Sequence, residues 1–183
     1  MCIRDSFEGT LNVSQSGSAC ATPFTSFCPG DGTGTACPCA NNGAAGNGCA
    51  NSLNANGGHL QGNGSVSVAN DTLVLSGSGV PNGPGLYFQG TNQVNAGNGT
   101  AFGDGKRCAG GTIIRLGIVT AAGNASTYPS PNPPAVNAIP ISLKGLNVAG
   151  NVRNYQLWYR DSGAFCTASV FNLTNAVNVT WTP

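Results

Sequence analysis

Apolar residues in this chain come in short runs, many of them alternating with polar positions at a spacing of two, and turn-forming residues separate the runs. Residues 7–13, Phe7-Glu8-Gly9-Thr10-Leu11-Asn12-Val13, place Phe7, Gly9, Leu11 and Val13 on one face, the pattern of a half-buried strand. Further strands are predicted near 65–68, 72–75, 86–89, 112–119, 139–143, 152–159, 169–173 and 177–181, with Gly, Pro, Asn or Ser between them. Segments 72–75 and 113–119 are almost continuously apolar, so both of their faces are expected to be covered. Tyr155, Leu157 and Tyr159 alternate with Gln156 and Trp158, which puts an aromatic on each face of that strand. Gly or Pro interrupts every candidate helix. The pattern predicts an all-β fold, a β-sandwich with jelly-roll or Greek-key connections. A disulfide-rich irregular region and an extended N-terminal strand are expected ahead of it.

The chain divides into four stretches. Met1-Cys2-Ile3-Arg4-Asp5-Ser6 reads as a translated sequencing adapter, so a metagenomic source and a lost upstream segment are expected. Residues 7–19 form an extension that ends in a Ser/Gly connector, 20–58 a cysteine-rich loop region, and 59–183 the sandwich.

Composition narrows the function. Only 7% of the 183 residues are charged, against roughly 25% in an ordinary soluble domain, and the net charge is +1. Such a chain offers no basic face to nucleic acid or to an anionic membrane, and no apolar run approaches membrane-spanning length. The 28 Gly and 11 Pro suit short strands joined by many turns. The 8 Cys point to an oxidising compartment, hence to a secreted or cell-surface location. Cys28, Cys37, Cys39 and Cys49 lie in a stretch too poor in apolar residues to fold around a core, and no pair of C-x-x-C knuckles suggests zinc. Two bridges are expected inside this cluster, Cys28 joining Cys37 or Cys39, with a third between Cys108 and Cys166. Cys20 is then unpaired, or bonded between molecules.

From Cys28 onward the chain resembles a domain that recurs at the C-terminal end of predicted secreted proteins of planctomycete-like bacteria. The shared pieces are F-C-P-G-D-G-T-G-T-A-C-P-C-A-N-N-G, G-C-A-N-S, N-D-T-L-V-L and L-Y-F-Q-G-T. They continue with F-G-D-G-K-R-C-A-G-G-T-I-I-R-L, Y-Q-L-W-Y-R-D, F-C-T and F-N-L-T-N-A-V-N-V-T-W. The resemblance implies secretion, a cysteine-stapled β-domain and a last strand at 177–181. It brings no catalytic residue with it.

The inventory for catalysis is thin, and the chain is not expected to be an enzyme. His59 is the single histidine and no G-x-S-x-G elbow accompanies it. Asp104 in Gly-Asp-Gly and Asp161 beside Arg160 read as turn residues rather than as an acid pair. Asp31 in Asp-Gly-Thr-Gly reads as an Asx-turn, since calcium sites gather several carboxylates. No metal or cofactor is expected. Tyr87, Phe88, Tyr155, Trp158, Tyr159 and Trp181 suit core packing better than a sugar-stacking platform. Asn12, Asn63, Asn70, Asn98, Asn124, Asn172 and Asn178 head N-x-S/T sequons and are candidate glycan acceptors.

Two functions fit this reading. One is an extracellular structural subunit joined head to tail with copies of itself, Phe7, Leu11 and Val13 of one copy completing a sheet edge of the next. The other is a non-catalytic accessory module of a larger secreted protein, binding carbohydrate or serving as an anchor.

Overall fold

A computed structural model describes residues 23–130, 135–163 and 165–183. The described residues form ten strands, β1 Phe24–Phe27, β2 His59–Asn63, β3 Val74–Ser78, β4 Gly83–Gln93, β5 Thr100–Phe102, β6 Gly105–Arg107, β7 Ala109–Ala121, β8 Ala125–Tyr128, β9 Val152–Arg160 and β10 Phe171–Thr180. An antiparallel sheet in the order β1-β10-β9-β4-β7 packs against a smaller one, β2-β3-β8, and the all-β sandwich is the expected one. The alternation read from the sequence sets the faces. Tyr87, Tyr155, Leu157, Tyr159, Val177 and Val179 of the large sheet meet Leu60, Leu75 and Tyr128 of the small one, and Trp181 closes the end. The sheets approach so closely that a Cβ on Gly77 would lie 2.4 Å from the Leu157 side chain.

A third layer covers part of the large sheet's outer face: the β5–β6 hairpin and the cysteine-rich loop before β2. Gln156, on the face opposite Tyr155 and Leu157, pins the hairpin. Its Oε1 accepts from Cys108 N (2.9 Å) and Ala109 N (3.3 Å), and its Nε2 donates to Lys106 O (2.9 Å) and Thr174 O (2.7 Å).

Several expectations are corrected. Segment 139–143 is not a strand. Pro140 precedes a single helical turn, α1 (Ile141–Lys144), and Asp71 Oδ2 accepts from Ser142 N at 2.6 Å within it. Segments 169–173 and 177–181 are not two strands but one, β10, with a bulge between Leu173 and Ala176. The polar Thr174-Asn175 step looks like a turn, yet Asn175 is fully buried because it pairs with a backbone. Its Oδ1 accepts from Leu60 N (2.7 Å), and its Nδ2 donates to Leu60 O (3.0 Å) and Ser26 Oγ (2.9 Å). Segment 65–68 is a loop closed by a bridge between Val66 and Asp71, and 72–75 begins its strand only at Val74. The region 20–58 is not all loop, since β1 pairs with β10.

The disulfides also differ from the expected set. Cys108 bonds to Cys28, not to Cys166, with Cα atoms 6.0 Å apart. The register Phe27↔Ala176 brings Cys28 to the middle of β10, where it and Cys108 pack against Ala176. Cys166 bonds to Cys39 (Cα–Cα 5.8 Å), and the cluster keeps one internal bridge, Cys37–Cys49 (5.8 Å). Cys28–Cys37 and Cys28–Cys39 do not form. Among the described residues no cysteine is free, and Cys20 lies outside them.

Candidate functional site: an outer-face cleft beside a sheet edge

The third layer stops short of β7, and a cleft of about 500 Å³ opens there. Its floor comes from residues on the large sheet's outward phase: Leu173 pairs with Trp158, and Trp158 with Leu86. Phe88 pairs across β7 with Arg115, and Ile113 follows two residues earlier on the same strand. Phe102 and Arg107 of the β5–β6 hairpin form the other wall. Phe171 holds this wall, with ring centroids 5.0 Å from Phe102 and 5.4 Å from Trp158.

The lining is aromatic and aliphatic with two guanidinium groups and no carboxylate. Arg107 Nε donates to Ala109 O at 3.2 Å, while the exposed Arg115 makes no side-chain hydrogen bond or ion pair among the described residues. The cleft therefore suits an apolar or flat occupant that also carries acceptor oxygens or negative charge.

Beside the cleft the sheet ends. β7 runs for 13 residues, pairs with β4 on one side, and has no strand on its other side among the described residues. Asn137 Nδ2 donates to Ile118 O (2.6 Å) near the C-terminal half of β7. Ile113 and Ile118 point outward from β7 and are 37% and 60% exposed. A long edge with exposed apolar side chains is the kind of surface that pairs with another strand.

The sequence-predicted residues separate into three groups. Phe7, Leu11, Val13 and Asn12 lie outside the described residues. Of the six aromatics, Tyr87, Tyr155, Tyr159 and Trp181 are core, as expected, whereas Phe88 and Trp158 line the cleft. Of the sequons, Asn63, Asn70 and Asn98 are exposed, and Asn124 and Asn178 are half-buried. Asn172 is fully buried with its amide spent on Ala50 O and its own neighbour Leu173 N, so it is no acceptor in the folded chain. Sequence reasoning missed Phe102, Phe171, Arg107 and Arg115. The signal for Arg115 was there, since it alternates with Ile113, but the bulge between Tyr87 and Phe88 hid which phase of β7 faces out.

The remaining candidates are structural in their contacts. Asp31 Oδ1 accepts from Thr33 N at 3.0 Å and from the Thr33 hydroxyl, the expected Asx-turn, and those bonds hold its carboxyl below the usual range. His59 sits in β2 opposite Ser78, with Nδ1 buried and unpartnered and no carboxylate bonded to it. Asp104 does occupy the β5–β6 turn and Asp161 does end β9, but neither is a surface turn residue: both carboxylates are fully buried. No helix among the described residues is long and apolar enough to cross a membrane. No protein-family model matches the chain, nor does any curated protein or solved structure.

Proposed function

We propose that this chain is an extracellular structural subunit that joins copies of itself head to tail. In this reading residues 7–13 of one copy add to the β7 edge of the next, and Phe7, Leu11 and Val13 cover Ile113, Ile118 and the neighbouring cleft. One observation carries the reading. The chain enters the large sheet through β1 at one edge, while the long strand β7, without a strand on its outer side among the described residues, forms the other. A donor on one edge and an acceptor on the opposite edge make a heterologous contact, which propagates rather than closes. Burying the three apolar side chains contributes roughly 5–8 kcal/mol before the entropy of ordering the segment. The three disulfides among the described residues accord with an oxidising compartment and so with secretion or the cell surface. Glycans on exposed Asn63, Asn70 and Asn98 would hydrate a surface poor in charge.

Deleting residues 7–13 is the test. The truncated chain should fold, stay monomeric by light scattering, and bind a peptide of sequence FEGTLNV. Polymers formed by the truncated chain, or a segment that folds back on its own sandwich, would overturn the reading. The second function, a non-catalytic accessory module of a larger protein, is favoured by the Trp158 and Phe88 floor. It predicts glycan binding that Trp158→Ala abolishes and the 7–13 deletion leaves intact.

A further inference from the structure

The guanidinium groups of the cleft have no counter-charge. Four side-chain carboxylates fall among the described residues, and each accepts from neutral donors elsewhere: Asp31 from Thr33, Asp71 from Leu73 N and Ser142 N, Asp104 from Thr167, and Asp161 from Ser52. None of the four lines the cleft. Arg107 is held in the wall by the bond from its Nε to Ala109 O, and its two terminal amino groups carry no hydrogen bond among the described residues. Arg115 is exposed and has no such bond at any of its three nitrogens.

The cleft is also shaped in advance of any occupant. Gly103 sits in the β5–β6 turn at φ +64°, and a Cβ on it would lie 2.3 Å from the Phe171 ring, so the turn rests directly on that ring. Phe171 in turn packs against Phe102 and Trp158. Phe88 is nearly buried and Trp158 half-buried in the floor, so rings face the opening from floor and wall alike. The volume of about 500 Å³ falls within the roughly 300–1,000 Å³ of small-molecule sites. No lining side chain offers a hydroxyl, an amide or a carboxylate, so a sugar would leave most of its hydroxyls unpaired there.

We propose that this cleft binds an aromatic carboxylate, its ring between Trp158 and Phe102 and its carboxylate on Arg115 and Arg107. A flat ring gains from offset and edge-to-face contacts with aromatic side chains. An arginine meets a carboxylate through two parallel, charge-assisted hydrogen bonds, and here two arginines without an acid partner border one apolar floor. Both halves of the ligand are therefore matched by groups that nothing else among the described residues uses. The inference does not rest on head-to-tail joining. Where that joining occurs, the ligand and residues 7–13 of the neighbouring copy compete for the cleft.

The test uses 2-naphthoate and the oxidised full chain, at a concentration where light scattering shows a monomer. Calorimetry should give one site per chain with a Kd of about 0.1–1 mM, as suits a ligand of about a dozen heavy atoms. The neutral 2-naphthamide and the alkyl acid decanoate should each bind about tenfold more weakly. Arg115→Gln should weaken naphthoate by about the same factor and leave naphthamide unchanged. Lys144→Gln, outside the lining, should alter neither. The proposal is overturned if naphthoate shows no saturable binding, if naphthamide or decanoate matches it, or if Arg115→Gln retains it. It is equally overturned if a neutral glucan oligosaccharide binds more tightly than naphthoate, because the accessory-module reading then describes the cleft. Binding to the monomer involves no neighbouring copy, so failure here leaves head-to-tail joining to be decided by light scattering alone.

Discussion

On its inner face the large sheet is buried by Leu60, Leu75 and Tyr128 from the small sheet, which meet Tyr87, Leu157 and Tyr159. On its outer face the cover is a hairpin and a cysteine-rich loop, and beyond small apolar clusters around Cys28–Cys108 and Phe171 the contacts there are amides, carboxylates and backbone. Gln156 and Asn172 are each fully buried and bonded to main-chain atoms, and a Cβ on Gly48 would lie 2.4 Å from Leu173 O. Apolar area holds the first interface. The second has little such area, so hydrogen bonds fix its geometry and disulfides limit its unfolded alternatives. A layer with little core of its own can still be held in place when most of its buried polar groups have partners; Asn41 Oδ1 and Asp104 Oδ2 are the exceptions here.

High pH should break the inner interface most completely. Burial raises all four tyrosines, Tyr87 and Tyr128 to about 12 and Tyr155 and Tyr159 further. An unfolded tyrosine ionises near about 10, so the folded phenols contribute stability that is fully present below that pH and is lost as pH rises through the folded values. Tyrosinate absorbance should therefore stay flat past about 10 and then appear together with unfolding. A separate titration near the ordinary value would show that the inner face is open to water.

Removing Cys28–Cys108 by double replacement with Ser should come next in size, roughly 4 kcal/mol for a bridge of 80-residue separation. Hydrogen exchange should speed up in β5, β6 and the loop before β2, and little in β3 and β8. Uniform acceleration would mean that the two layers unfold as one.

Asn175→Leu, similar in branched shape, should cost about 2–3 kcal/mol by leaving Leu60 N and O unpaired, read as a lower urea midpoint with unchanged slope. Arg115→Ala should change stability by less than about 0.5 kcal/mol, since the side chain is exposed and unpartnered; a larger loss would make the cleft part of the fold.

The inner interface was legible in the sequence because period-2 alternation survives in β9. The continuous apolar run in β7 misled: both faces were expected to be covered, but the outward one, with Ile113 and Ile118, is exposed because the third layer does not reach it. The outer layer was not legible. Its contacts join residues such as Asn41 and Asp104, whose types signal turns when read locally, and polar pairing leaves no periodic mark. Asn175 shows the same limit inside a strand, where a buried amide is written like a loop residue. The cysteines marked the layer's existence but not its wiring, because β1 had to be placed beside β10 before Cys28 could find Cys108. The cleft fell between: Trp158 was assigned to a face, but the hairpin that walls it was not foreseen.

The bridges Cys28–Cys108 and Cys39–Cys166 overlap along the chain. A peptide bond cut anywhere between Cys28 and Cys166 therefore lies inside at least one covalent ring. A single nick by an extracellular protease adds one water to the mass and sets no fragment free, so a damaged molecule remains one covalent object. Whatever is attached to either end of the chain stays tethered until a second cut or a reductant arrives.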